Sequence, residues 1–211
     1  MRSAISRADL VEGVAALVIS IAAAMTSWVS FQASLWDGEQ AAHYAQAGAA
    51  RTAAAKLTTV GATLETADLL MFQQWLAAAT EGDAGLATFY RKRFRPEFAP
   101  AFEAWLKTAP MTDAAAPPTP FAMPQYRSAR MAMARDLEKQ ADALFERGQK
   151  DNDVSDHFVR GAVLLAVALF FGGISQSFKS LAVKIWLIVM AVVMCVVCGA
   201  QIAHLPILSL S

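Results

Sequence analysis

Cysteine is almost absent. The 211 residues hold two, Cys195 and Cys198, and both lie inside an apolar run. A disulfide-stapled secreted fold is therefore excluded. An excess of charge of either sign is missing too: 18 Lys and Arg stand against 18 Asp and Glu. No global field recruits nucleic acid or anionic lipid. Proline is missing from residues 33–80, which removes the strongest helix breaker from a long stretch. Also lacking are a nucleophile with a nearby base, a phosphate loop and a metal quartet. An enzyme is accordingly the least supported class, with no catalytic residue and no cofactor or metal expected.

What is abundant is apolar. Hydrophobic residues make up 56% of the chain, above the roughly 45–50% of ordinary soluble domains. The excess falls in long runs. A bilayer core of about 30 Å needs roughly 20 apolar residues to cross it. Three stretches meet that length: 10–31, 158–178 and 181–205. Trp28, Trp186 and His204 sit near their ends, where amphipathic rings favour the interface. Arg2, Arg7 and the small residues Ala22 to Ala24 also fit a cleaved signal peptide. The apolar run continues well past that point, and Asp9 and Glu12 break the expected charge pattern, which favours an uncleaved anchor. The spans predict a tail at 1–9, an extramembrane domain at 32–157 and a tail at 206–211.

Arg2 and Arg7 flank the first span on one side, and Lys179 and Lys184 flank the short loop that a three-span topology puts on that same side. After the first span no Lys or Arg occurs until Arg51. Arg147, Lys150 and Arg160 before the second are diluted by Asp151, Asp153 and Asp156. The positive-inside rule then predicts a cytoplasmic amino terminus and a periplasmic or external main domain.

Within 32–157 the reading is all-α: a long helical hairpin with a proline-rich helical cap at 84–125. From Ala41 to Ala55 nine of fifteen residues are alanine, the best helix former. Leu57, Val60, Leu64, Ala67 and Met71 follow the 3–4 spacing of one helix face. A helix over 33–80 would reach roughly 70 Å at 1.5 Å per residue. Residues 126–157 repeat Ala134, Leu137, Ala141, Leu144 and Gly148 at the same spacing, with charges on the other face. Paired antiparallel, the two would share a seam of about four heptads. Seven of eight prolines fall between Pro96 and Pro124. Short helices are predicted at 84–95 and 97–108, and Thr108 to Gln125 is predicted extended and polyproline-like.

The stretches FYRKRFRPEFAPAFEAWL (89–106), PPTPFAMPQY (117–126) and NDVSDHFVRGAVLLAVALFFGGIS (152–175) resemble a recurrent block in uncharacterised bacterial inner-membrane proteins with three spans. The resemblance covers the domain and the second span. It implies a bacterial inner (cytoplasmic) membrane location and no activity.

Arg91, Lys92, Arg93 and Arg95 form the densest basic cluster, with Phe94, Phe98, Phe102 and Trp105 around it. They predict either an anion or partner patch or pairing with Glu97, Glu103, Glu65 or Asp68 over an aromatic core. Asp37, Glu39 and His43 leave the first span, while Asp151, Asp153, Asp156 and His157 approach the second. Paired antiparallel, these sets would form an acidic collar able to concentrate cations, with histidine as its pH-sensitive member. Solvated helix faces near a membrane explain them equally. Cys195 and Cys198 share one face of the third span, where packing is the expected role. The expectation is a structural or interaction protein, a homo-oligomer or a subunit of a larger membrane complex among membrane lipids, with no nucleic acid. The alternative is a subunit of an oligomeric channel or transport complex with an acidic vestibule.

Overall fold

In a computed structural model, which describes residues 7–209, every regular element is helical. Arg2 and the rest of the first six residues, and Leu210 and Ser211 of the expected tail, lie outside the described residues. The helices are α1 (Arg7–Thr80), α2 (Ala84–Arg91), α3 (Ala99–Leu106), α4 (Ala129–Ser175) and α5 (Leu181–Ile202), with a 3-10 turn at Pro120–Ala122. Helices α1, α4 and α5 are long and apolar enough to cross a membrane. Helices α4 and α5 end at Ser175 and Ile202, where the N–H groups of Gln176, Ser177 and Phe178, and of Leu205, close turns onto carbonyls three residues back.

The chain divides into two compact units: residues 1–46 with 143–211, and residues 47–142. In the first, α1 and α4 run antiparallel. A Cβ added at Gly172 would meet Ile19, one at Gly161 would meet Val29, and one at Gly148 would meet Tyr44. Ser155 donates to the Ala33 carbonyl at 3.2 Å, in the same order. Helix α5 runs parallel to α1. The Lys184 ammonium lies 2.7 Å from Glu12, and Gly161 brings Cys198 and Ile202 against Val29. Val29, Ala33, Phe158, Leu165 and Cys198 form one buried cluster, and Ala22, Ala168 and Ala191 another. Glycine and alanine stand where helices meet because dispersion contacts between backbones, not hydrophobicity, hold helices together in an apolar solvent. Ser20, Thr26 and Ser27 close their hydroxyls onto carbonyls four residues back, so the apolar run carries them without an unmade hydrogen bond.

In the second unit the buried face of α1 steps by seven residues: Ala47, Ala54, Gly61, Asp68 and Trp75. Of the face expected from hydropathy, Leu57, Leu64 and Met71 are half-buried beside this line, while Val60 and Ala67 are exposed. The close approach occurs at small residues, which hydropathy does not mark. On α4 the expected face holds, with Ala134 and Ala141 buried.

Helix α1 ends by a stated device. Gly82 has a φ of 81°, the Asp83 N–H donates to the Ala78 carbonyl, and the Gly82 N–H donates to that of Ala79. This paired closure satisfies two orphan carbonyls and needs glycine's left-handed backbone. Asp83 then caps α2 by accepting from the Leu86 N–H at 2.9 Å. Pro100 opens α3, where its missing N–H costs nothing. Phe72, Trp75, Phe94, Phe98, Phe102 and Trp105 build the core of the unit. The segment after α3 is folded rather than extended. Ala109 takes a φ of 51°, its carbonyl accepts from Thr112 and Asp113, and the Trp105 Nε1–H donates to the Pro117 carbonyl at 2.7 Å. Burial of the Trp105 indole demands an acceptor, and the proline-rich chain bends to supply it.

Candidate functional site

The most concentrated buried polar chemistry lies at Asp68. This residue occupies the buried face of α1 and is 2% exposed. Arg95, in the turn between α2 and α3, donates to its Oδ2 at 2.9 Å. The Tyr126 hydroxyl donates to the same oxygen at 3.2 Å. Arg95 also pairs with Glu97, and Arg130 of α4 lies 3.7 Å from Glu97. Burial raises the Asp68 carboxyl above its ordinary range, and the Arg95 guanidinium and the Tyr126 hydroxyl offset this in part. Burial, with the charge of Asp68 beside it, likewise pushes the Tyr126 phenol up. Two side chains, one from each of the blocks 89–106 and 117–126, thus converge on one carboxylate of α1, and the adjacent Phe98 and Phe121 rings stack at 5.0 Å.

Beside Tyr126 opens a cleft of about 690 Å³. Glu65 and Glu138 line it, as do Arg127 and Arg135. Charges of both signs face the same space.

The basic cluster is divided. Arg91 grips Glu103 with two bonds of 2.7 and 2.6 Å, and this bond to a carboxylate raises the Arg91 pKa further. Arg95 belongs to the Asp68 network. The Arg93 guanidinium lies 3.5 Å from the centre of the Phe89 ring and donates to the Phe89 carbonyl. Lys92 faces solvent.

The collar is not gathered into one site. His43 Nδ1 lies 2.6 Å from Asp151 Oδ2, and Gln40 donates to Asn152 at 2.9 Å. Asp37, Glu39, Asp153, Asp156 and His157 are exposed. Among the described residues, no three His, Cys, Asp or Glu side chains are placed to hold a metal ion. Both cysteines are free thiols. The Cys198 thiol is buried and donates to the Gly161 carbonyl at 3.4 Å.

Other placements had no signal in the sequence. Gln32, buried at the end of the first apolar run, both donates to and accepts from the main chain of Leu208 at 3.0 Å. The Trp36 Nε1–H donates to the Pro206 carbonyl at 3.3 Å. A side-chain amide paired with a main chain imposes no requirement on the partner's side chain, so no residue pattern announces it.

No family model matches the chain, and neither does any curated protein or solved structure.

Proposed function

We propose that this chain is an integral membrane protein that serves as a structural or interaction subunit, either of a homo-oligomer or of a larger membrane complex. On this reading the apolar stretches of α1, α4 and α5 cross a bacterial inner membrane, with the amino terminus cytoplasmic. Residues between the first two spans then form a periplasmic helical hairpin, coiled-coil-like in its seven-residue burial step, and residues 84–125 cap it. The bacterial location rests on the resemblance of 89–106, 117–126 and 152–175 to three-span inner-membrane proteins.

The observation that carries the reading is what the second unit leaves uncovered. Val60, Leu69, Leu70, Leu86, Phe89, Met111 and Met133 stand 41–59% exposed. Two arginines of its basic cluster, by contrast, are closed on carboxylates: Arg91 on Glu103, and Arg95 on Asp68. Apolar side chains left at a surface are the raw material of a contact with another protein. The test is the mass of the detergent-extracted particle together with its cross-linked partners. A fixed stoichiometry above one, or a constant partner, is expected. A clean monomer that cross-links to nothing contradicts the proposal.

A pore-forming subunit is the second reading. It draws on the exposure of Asp37, Glu39, Asp153 and Asp156, carboxylates that only several chains around one axis could bring together. Proteoliposomes without ion flux under any gradient would remove it.

A further inference from the structure

The first unit carries a furrow between the parallel helices α1 and α5. Its floor is Ile188, and its walls are Leu10, Val14, Val189, Val192 and Val193. It encloses about 390 Å³, and no polar residue lines it. A second hollow of about 290 Å³ shares Val192 and continues along the same two helices to Met25 and Val196. From Ile185 to Val193 the first hollow extends about 12 Å at 1.5 Å per residue. One leaflet of a bilayer core is about 15 Å deep, half of its thickness.

Two kinds of occupant suit an apolar furrow in a membrane: a helix or an acyl chain. Helices in membranes meet at small residues that let backbones approach. This chain follows that rule where its own helices touch, at Gly161, Gly172, Ala22, Ala168 and Ala191. Neither hollow contains a glycine, alanine or serine. The first hollow is walled throughout by branched side chains, which hold a neighbouring backbone away and leave room for a thin, flexible chain. One end is marked by charge. Val11 and Ile185 of the lining adjoin Glu12 and Lys184 in sequence. Lys184 is 15% exposed and holds Glu12, 54% exposed, at 2.7 Å, a charged pair that marks this end of the furrow as its polar end.

From this geometry we infer that the α1–α5 furrow binds one acyl chain of a phospholipid, with the headgroup at the Lys184 end, as a bound lipid distinct from the exchanging annulus. The inference rests on the membrane-spanning reading of α1 and α5. The test is native mass spectrometry of the full chain extracted in mild detergent. Wild-type protein is expected to keep a phospholipid adduct through repeated detergent exchange. Val14→Phe with Val192→Phe fills the furrow and is expected to lose that adduct, whereas Val163→Phe on the outward face of α4 keeps it. An adduct equal in all three proteins, or absent from the wild type, overturns the inference. A check without variants uses a phospholipid carrying a diazirine on its chain. Labelling concentrated at 10–14 and 185–193 is expected. Labelling spread evenly over Val159 and Val163 as well overturns it. Protein that leaves the membrane without detergent would refute the spanning reading itself, a result separable from loss of the adduct.

Discussion

Replacing Phe98 by alanine removes the ring at the centre of the second unit. Phe98 is fully buried and stands 4.9–6.3 Å from five other rings, those of Phe72, Phe94, Phe102, Phe121 and Tyr126. Truncating a buried phenylalanine costs about 3–5 kcal/mol, because transfer energy and cavity formation add. The neighbours that would have to collapse into the hole are rigid aromatics, which places Phe98→Ala toward the upper end. For a domain of this size each kcal/mol lowers Tm by about 4–8 °C, so a fall of at least about 12 °C is expected. Phe98→Leu keeps most of the volume and should cost about 1–2 kcal/mol. Trp75 and Trp105 belong to the same cluster. Their fluorescence, read in a chain with Trp28, Trp36 and Trp186 changed to Phe, reports the unit as it melts in detergent. A fall of less than about 4 °C for Phe98→Ala, or equal falls for both variants, would refute the idea that these rings form the core.

Two further outcomes follow from specific contacts. The folded Asp68 carboxyl has a pKa above its unfolded value, so the folded state binds the proton more tightly. The second unit should therefore gain stability as pH falls from neutral through the raised folded value toward the ordinary carboxylate range, and Asp68→Asn should flatten that rise in a denaturant titration run at several pH values. At Gly148 a Cβ would lie 2.5 Å from the Tyr44 ring, which stacks on Phe145, whereas at Gly61 it would lie 3.2 Å from the flexible Met131 sulfur. Gly148→Ala should cost about 1 kcal/mol net of its helix gain and recover when combined with Tyr44→Ala, while Gly61→Ala should be neutral or stabilising, as thermal melts of the four proteins would show.

The parts of the fold legible in the sequence were those written in large residues. Three apolar runs announce three helices able to cross a membrane, and Leu137 and Leu144 mark the buried face of α4. On α1 the half-buried Leu57, Leu64 and Met71 were legible, but the centre of the face escaped because its buried positions are Ala47, Ala54, Gly61 and Asp68. Small residues say that something approaches without saying from which side, and a buried carboxylate runs against the hydropathy pattern altogether. The proline-rich segment was read as extended because proline fixes φ. What bends it is the acceptor that Trp105 finds at Pro117, a contact that exists only once the core has formed. Glu103, Asp68 and Glu97 could be named in advance as partners for the arginines from charge alone. The sequence order of Asp37, Glu39, Asp153 and Asp156 gave no direction for their side chains, and they point outward. The furrow at Val192 was hidden for another reason: which sides of two spans face each other depends on the third helix packed against both.

The most direct test of the proposed three-span topology, with the main domain outside the cytoplasm, is the sidedness of two loops. With Cys195 and Cys198 replaced by alanine, Glu81→Cys places a thiol between α1 and α2, and Ser177→Cys places one between α4 and α5. An impermeant maleimide should label the first in intact cells and the second only after the membrane is opened. Labelling of both loops from the same side, or of Ser177→Cys alone in intact cells, would contradict the topology.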